Sequence, residues 1–140
     1  MAVKPVITIR VLGEFEILRG ETVQSFPQSR KTRALLAYLI LTGRRHRRER
    51  LCDLFWDLPD DPRASLRWSL SRLRSLVDEP GCERIIADRD FVSFDPQGAL
   101  VDLLEVRKDL AGGSANTFTT DHLMALATQF RGDLLEGLTI

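Results

Sequence analysis

Asp61-Pro62-Arg63-Ala64-Ser65-Leu66-Arg67-Trp68-Ser69-Leu70-Ser71-Arg72-Leu73-Arg74-Ser75-Leu76-Val77 is the stretch on which the reading of the fold turns. Asp followed by Pro is a helix start. The carboxylate caps free amides of the first turn, and proline fits the first helical position because its missing N–H would have no partner there. Leu66, Leu70, Leu73 and Val77 then recur at spacings of four, three and four, which makes one apolar stripe. With Leu66 as reference and about 100° per residue, Arg63, Arg67 and Arg74 fall on one flank. Ala64, Trp68, Ser71, Arg72 and Ser75 cover the far side. A face of arginines and small residues suits the major groove of DNA, where small side chains permit close approach and Arg reads guanine or grips phosphate. Trp68 keeps two readings: packed against a following hairpin, or exposed for a partner.

Outward from this helix, Glu79-Pro80-Gly81 closes it, and two short strands follow, Arg84–Ala87 and Phe91–Phe94, joined by Asp88-Arg89-Asp90 as a hairpin. Upstream, Trp56-Asp57-Leu58-Pro59-Asp60 is a loop, because Pro59 bars helix continuation. A short helix from Arg47 or Arg48 to Phe55 precedes it and is expected to bury Leu51, Leu54 and Phe55. Before that, Ser29 caps a helix to Thr42, with Gly43 as its stop. Leu35, Leu36, Leu39 and Ile40 give it a wide apolar face. The chain opens with a β-branched run, Val6–Leu12, and with Phe15, Ile17 and Val23 alternating across a turn at Arg19-Gly20-Glu21, an antiparallel meander. Near the end, Val101–Leu110 reads as a short helix and Ala111–Asn116 as a flexible linker. Asp121 caps a last helix, and Leu134, Leu135 and Leu138 are expected to sit loosely without later helices to cover them.

The 140 residues suit one domain, or one domain and the start of a second. Twenty basic and twenty acidic residues cancel only as a sum. Residues 28–76 hold twelve basic against five acidic, a surplus of seven positive charges, and residues 77–140 hold five against twelve, a surplus of seven negative. A basic block within a folded region is the footprint of a polyanion partner or a solvated helical face. The longest uncharged stretch of the first half, Ala34–Gly43, has ten residues, against about 20 for a membrane span. The first residues lack an apolar core of signal-peptide length, so a cytoplasmic protein without membrane contact is expected. Cys52 and Cys82 fit a reducing compartment better than a disulfide framework.

No signature of catalysis stands out. Gly13 and Gly20 stand alone, and Gly112-Gly113 opens no phosphate loop. His46 lies in an arginine run that repels metal, far from His122, and neither histidine has the paired cysteine spacing of a zinc site. No strained Gly-x-Ser-x-Gly turn is present. The expectation is a non-enzyme without cofactor or metal.

Three runs, in order, carry a family resemblance. Gln28-Ser29-Arg30-Lys31-Thr32-Arg33-Ala34-Leu35-Leu36-Ala37-Tyr38-Leu39 is similar to the first helix of bacterial antibiotic-regulatory-protein (SARP) activators. Arg48-Glu49-Arg50-Leu51-Cys52-Asp53-Leu54-Phe55-Trp56 resembles their second helix, and Asp61–Arg74 their recognition helix. The resemblance implies an α+β winged helix-turn-helix of the OmpR/PhoB type over residues 1–103. A strand meander leads it, three helices follow, and a C-terminal hairpin forms the wing. Residues 104–140 would be a linker and the first helical part of a truncated TPR-like bacterial transcriptional activation (BTAD) domain, which Phe130-Arg131-Gly132-Asp133-Leu134-Leu135-Glu136-Gly137-Leu138 resembles.

What the resemblance implies for function is sequence-specific binding to double-stranded promoter DNA, commonly at direct repeats and as a dimer on DNA, with RNA polymerase as a further partner. By position it gives base readout to Arg67, Trp68 and Ser71, and phosphate contacts to Arg45, Arg47, Arg48, Arg63, Arg72 and Arg74. Arg89 falls at the wing tip over the minor groove, and Asp57, Asp60 and Asp61 in the polymerase-contact loop. Two positions depart from the family pattern: Arg47 stands where Ser or Thr usually caps the second helix, and Trp68 where a polar residue or Arg is usual. The alternative is a protein-interaction module whose basic face docks an acidic partner, or the chain's own acidic C-terminal part.

Overall fold

Asp61 and Pro62 start a helix as predicted, in a computed structural model that describes residues 7–56 and 61–111, with side chains to residue 108. In chain order the elements are β1 (Ile7–Arg10), β2 (Glu16–Arg19), β3 (Thr22–Val23), α1 (Arg30–Thr42), β4 (His46–Arg47) and α2 (Arg48–Phe55). There follow α3 (Pro62–Val77), β5 (Ile85–Ala87), β6 (Phe91–Phe94), β7 (Ala99–Val101) and α4 (Asp102–Ala111). The expected BTAD start, the helix from Asp121, residues 112–116 of the linker, and Asp57 and Asp60 lie outside the described residues. The described chain is α+β and divides into two units, one of residues 7–24 and 98–111, the other of residues 25–97.

In the first unit, β1, β2 and β3 form the antiparallel meander, and β7 adds to β1 in parallel, giving the order β3-β2-β1-β7. Ile7, Ile9, Ile17 and Val101 are fully or almost fully buried. Asp102, the first residue of α4, is buried, and its carboxylate accepts from the amides of Val11 (2.9 Å), Leu12 (3.1 Å) and Leu103 (2.7 Å). It thus caps its own helix and satisfies the amides where β1 ends. The helix expected over Val101–Leu110 is therefore preceded by a strand and runs on through Ala111. A parallel pairing across some ninety residues leaves no local mark, so periodicity alone does not reveal β7.

In the second unit, α1 starts where Ser29 Oγ accepts from the Thr32 amide (3.2 Å). It ends at Gly43, whose φ of 63° lets its amide turn back to the Leu39 carbonyl (3.2 Å). Asp61 Oδ1 caps α3 through the Ala64 amide (3.1 Å). The predicted stripe Leu66, Leu70, Leu73 and Val77 is buried, as are Leu35, Leu39 and Leu51. Inside this apolar contact lies one polar pair, Thr32 Oγ1 to Ser69 Oγ at 2.8 Å, which ties α1 to α3. Arg84 is also buried. It donates to the carbonyls of Gln97 (2.8 Å) and Val77 (2.6 Å) and lies 3.4 Å from Glu79 Oε1, so it closes the carbonyl end of α3. The hairpin strand accordingly begins at Ile85 instead of Arg84.

Two side-chain expectations are corrected. On α2, Leu54 is exposed and Phe55 half-buried, while Cys52 and Trp56 are buried. The helix is two turns long and turns Cys52, one residue beyond Leu51, inward; the chain then leaves it extended, which swings Trp56 back inside. His46, although it lies in an arginine run, is buried, because β4 pairs it with Val92 of β6. Thr42 gives its single hydroxyl proton to the Tyr38 carbonyl (2.7 Å), so it accepts from His46 Nε2 (2.7 Å), which sets the histidine tautomer. Burial, and secondarily Arg44, hold the His46 pKa below 6.5. Cys52 and Cys82 are both free thiols. No helix among the described residues is long and apolar enough to cross a membrane.

Three outcomes follow from this packing. Leu70→Ala removes a buried branched side chain and should lower stability by about 2–5 kcal/mol in chemical denaturation. Trp68 is 46% exposed, so Trp68→Ala should cost about 1 kcal/mol or less and leave a cooperative melt. As pH falls, unfolded His46 takes up its proton before the folded form does, so stability is complete above pH 6.5 and declines as pH drops through that value towards the lower folded pKa. Melting temperatures on either side of pH 6.5 should fall less steeply for His46→Gln than for the parent chain.

Candidate nucleic-acid interface

The second helix begins on Arg47, which is extended and provides no side-chain cap. Its start is held from outside. The Arg48 amide donates to the Asp90 carbonyl (2.8 Å), and Arg48 Nε to the Asp88 carbonyl (2.7 Å). Asp88 closes the hairpin turn by accepting from the amides of Asp90 (2.8 Å) and Phe91 (2.7 Å). Those two bonds, with smaller help from Arg45 and Arg48, hold its carboxyl below the usual carboxylate range. The hairpin turn is thereby fastened to the first turn of α2.

This fastening gathers cations. A cleft of about 710 Å³ opens between the first turns of α2 and α3 and the hairpin turn, and Arg47, Arg48, Arg63, Arg67 and Arg89 line it. The same cleft carries Glu49, Asp53, Asp61 and Asp90, so its net charge is small. Cys52 also lines it; burial, then Asp53, pushes its thiol up, which disfavours the reactive thiolate. A second depression along α3 has no acidic residue among the described residues that line it. Arg48, Arg67, Arg74, Ser71 and Ser75 surround it, with Leu70 at its base.

Of the residues expected to read bases, Arg67 and Ser71 share that second depression, while Trp68 does not. Trp68 borders a shallow hollow with Ser29, Trp56 and Ser65, and the Arg72 guanidinium lies over its ring at 5.0 Å. The residues expected to grip phosphate also divide. Arg48, Arg63 and Arg74 line the cleft or the depression; Arg72 sits with Trp68; and Arg45 and Arg47 lie over the ring of Phe91 at 4.1 and 5.0 Å. Arg89 is exposed on the hairpin turn. Asp61 is exposed too, with one oxygen committed to capping α3.

Among the described residues, no carboxylate forms an ion pair with Arg45, Arg47, Arg63, Arg67, Arg72, Arg74 or Arg89. No group of three or more His, Cys, Asp or Glu among them is placed to hold a metal ion. Sequence reasoning passed over Phe91 as a site residue, and Glu49, Asp53 and Asp90 among the carboxylates of the cleft. The only signal for Phe91 is the alternation through Phe91-Val92-Ser93-Phe94; its place opposite Arg47 follows from the β4–β6 register.

No protein-family model and no curated protein matches this sequence. A solved structure does: EmbR of Mycobacterium tuberculosis, determined in complex with a low-affinity phosphopeptide, matches with a TM-score of 0.69 at 23% identity over 96% of this chain. This chain spans 38% of that chain's length. The α+β arrangement of four described helices and mainly antiparallel strands is therefore a fold shared with the corresponding part of EmbR.

Proposed function

We propose that this chain binds double-stranded DNA sequence-specifically, as part of a bacterial transcription activator of the SARP type. The observation that carries the reading is the depression along α3, where Arg48, Arg67 and Arg74 converge with Ser71 and Ser75; among the described residues no carboxylate lines it and none of the three arginines is in an ion pair. Groove readers need guanidinium donors without internal partners beside side chains small enough to let a base edge approach. The fold shared with EmbR supports the same reading.

In this reading residues 1–103 are a winged helix and residues 104–140 begin a BTAD domain. The third helix enters the major groove, with Arg67 and Ser71 reading bases and Trp68 giving an apolar contact at the groove's edge. Arg45, Arg47, Arg48, Arg63, Arg72 and Arg74 hold phosphates, and Arg89 reaches the minor groove from the wing. Asp57, Asp60 and Asp61 face RNA polymerase. The chain works in the cytoplasm as a binding protein, not an enzyme, and without cofactor or metal. Direct repeats would seat two copies.

A second reading draws on the four carboxylates in the basic cleft, which weaken its attraction for a pure polyanion. Mixed charge of this kind suits a protein partner, in trans or from the acidic C-terminal part.

Duplexes selected from random fragments by the purified chain separate the two. If about five phosphates are neutralised, log affinity should fall with log salt at a slope near −4.5, roughly a 500-fold loss between 50 and 200 mM. Arg67→Ala should cost about 1–3 kcal/mol on the selected site and much less on random DNA. Arg72→Ala should weaken both alike and flatten the slope by about one unit. Failure to bind any duplex at low salt would favour the protein-partner reading.

A further inference from the structure

The DNA-binding reading leaves a physical question about Arg45 and Arg47. Both are exposed, lie two residues apart, and have no carboxylate within ion-pair distance among the described residues. An exposed arginine normally samples many rotamers, and that freedom must be given up when it grips a ligand. Here both guanidiniums converge on one ring: Arg45 lies 4.1 Å and Arg47 5.0 Å from the centroid of Phe91.

We propose that Phe91 is a positioning residue that holds Arg45 and Arg47 ready for the phosphates of one nucleic-acid strand. The chemistry favours a ring for this task. A guanidinium is planar, and stacking occupies its face while leaving its N–H donors at the edge free. A carboxylate in the same place would consume those donors and cancel the charge, and the ion pair would have to break before phosphate could bind. Bringing two like charges to one ring also costs Coulomb energy, which an anion between or beside them relieves.

The fold fixes the Phe91 backbone on both sides. Phe91 stands opposite Arg47 in the β4–β6 ladder, and its amide donates to Asp88 Oδ1 at 2.7 Å. Val92, next along β6, is fully buried and prevents the strand from sliding. Phe91 itself is half-buried, so it is braced by the hairpin without being a central core residue.

This inference rests on the DNA-binding reading, and its test has a part that needs no DNA. In the free protein, 15N relaxation of arginine Nε should show Arg45 and Arg47 ordered, becoming as mobile as exposed Arg44 in Phe91→Leu and staying ordered in Phe91→Tyr. On the selected duplex, Phe91→Leu should bind about tenfold more weakly, the order expected when two side chains must be ordered anew on binding. Its salt slope should be unchanged, because both charges remain, whereas Arg45→Ala should flatten the slope by about one unit. Phe91→Tyr should restore affinity. Unchanged Nε order or unchanged affinity in Phe91→Leu overturns the proposal. So does an affinity loss that tracks a lower melting temperature and is not rescued by Tyr. If the parent chain itself binds no duplex, the DNA reading fails first, and the relaxation data still decide whether the ring anchors the two arginines.

Discussion

Two residues of strand, His46 and Arg47, pair with β6 and so tie a helix that lacks a side-chain cap to a hairpin turn forty residues further on. The placing of Arg45, Arg47, Arg48 and Arg89 depends on that short ladder. On its inner side it buries His46 against Val92; on its outer side it lays Arg47 opposite Phe91; at its end it satisfies the first amide of α2 through Asp90. A single backbone hydrogen bond contributes only about 1 kcal/mol net. The bonds here act together with a buried histidine and a closed Asx turn, so the pieces hold one another in place.

The third helix answers to a different constraint: one side must make the core while the other stays free of it. Leu66, Leu70, Leu73 and Val77 meet the first demand. Ser69, buried beside them, breaks the apolar stripe, yet its hydroxyl is matched by that of Thr32 at 2.8 Å. A paired polar group in a small core costs little when satisfied and is expensive when orphaned. The pair therefore favours one alignment of α1 against α3, and with it the side of α3 that presents Arg67 and Arg74. At the far end, Arg84 closes the last carbonyls of α3 and holds the base of the hairpin.

What was legible in the chain was local. Ser29, Gly43, Asp61 and Pro62 mark helix ends through atoms within four residues of themselves, and the leucine spacings mark faces within one helix. The hairpin turn Asp88-Arg89-Asp90 was legible for the same reason. What was hidden depends on partners far away in sequence. The inward turn of His46 requires β6, the parallel β7 requires β1, and the capping work of Asp102 requires amides about ninety residues earlier. Within the candidate site, the flank occupied by Arg67 and Arg74 could be read from helical spacing. The hollow that Trp68 borders with Ser29 and Trp56, and the stacking of Arg45 and Arg47 on Phe91, could not, because both depend on where neighbouring chain segments lie.

A surplus of seven positive charges in residues 28–76 says less about a partner than the condition of each guanidinium does. Arginine is used here in chemically distinct ways. Arg84 is buried with its donors spent on carbonyls and a carboxylate, and Arg33 gives its Nε to the Pro27 carbonyl (3.0 Å); both belong to the scaffold. Arg48 is intermediate, with Nε fixed on the Asp88 carbonyl and its terminal nitrogens without a hydrogen bond among the described residues. Arg45, Arg47 and Arg72 rest on aromatic faces and have no ion pair among the described residues. Arg63, Arg67, Arg74 and Arg89 are exposed with no ion pair among the described residues. Free donors, not formal charges, set how many phosphates a surface can grip at once. Those of Arg47, Arg48, Arg63, Arg67 and Arg89 gather around the first turns of α2 and α3 and the hairpin turn, and Arg74 extends the set along α3.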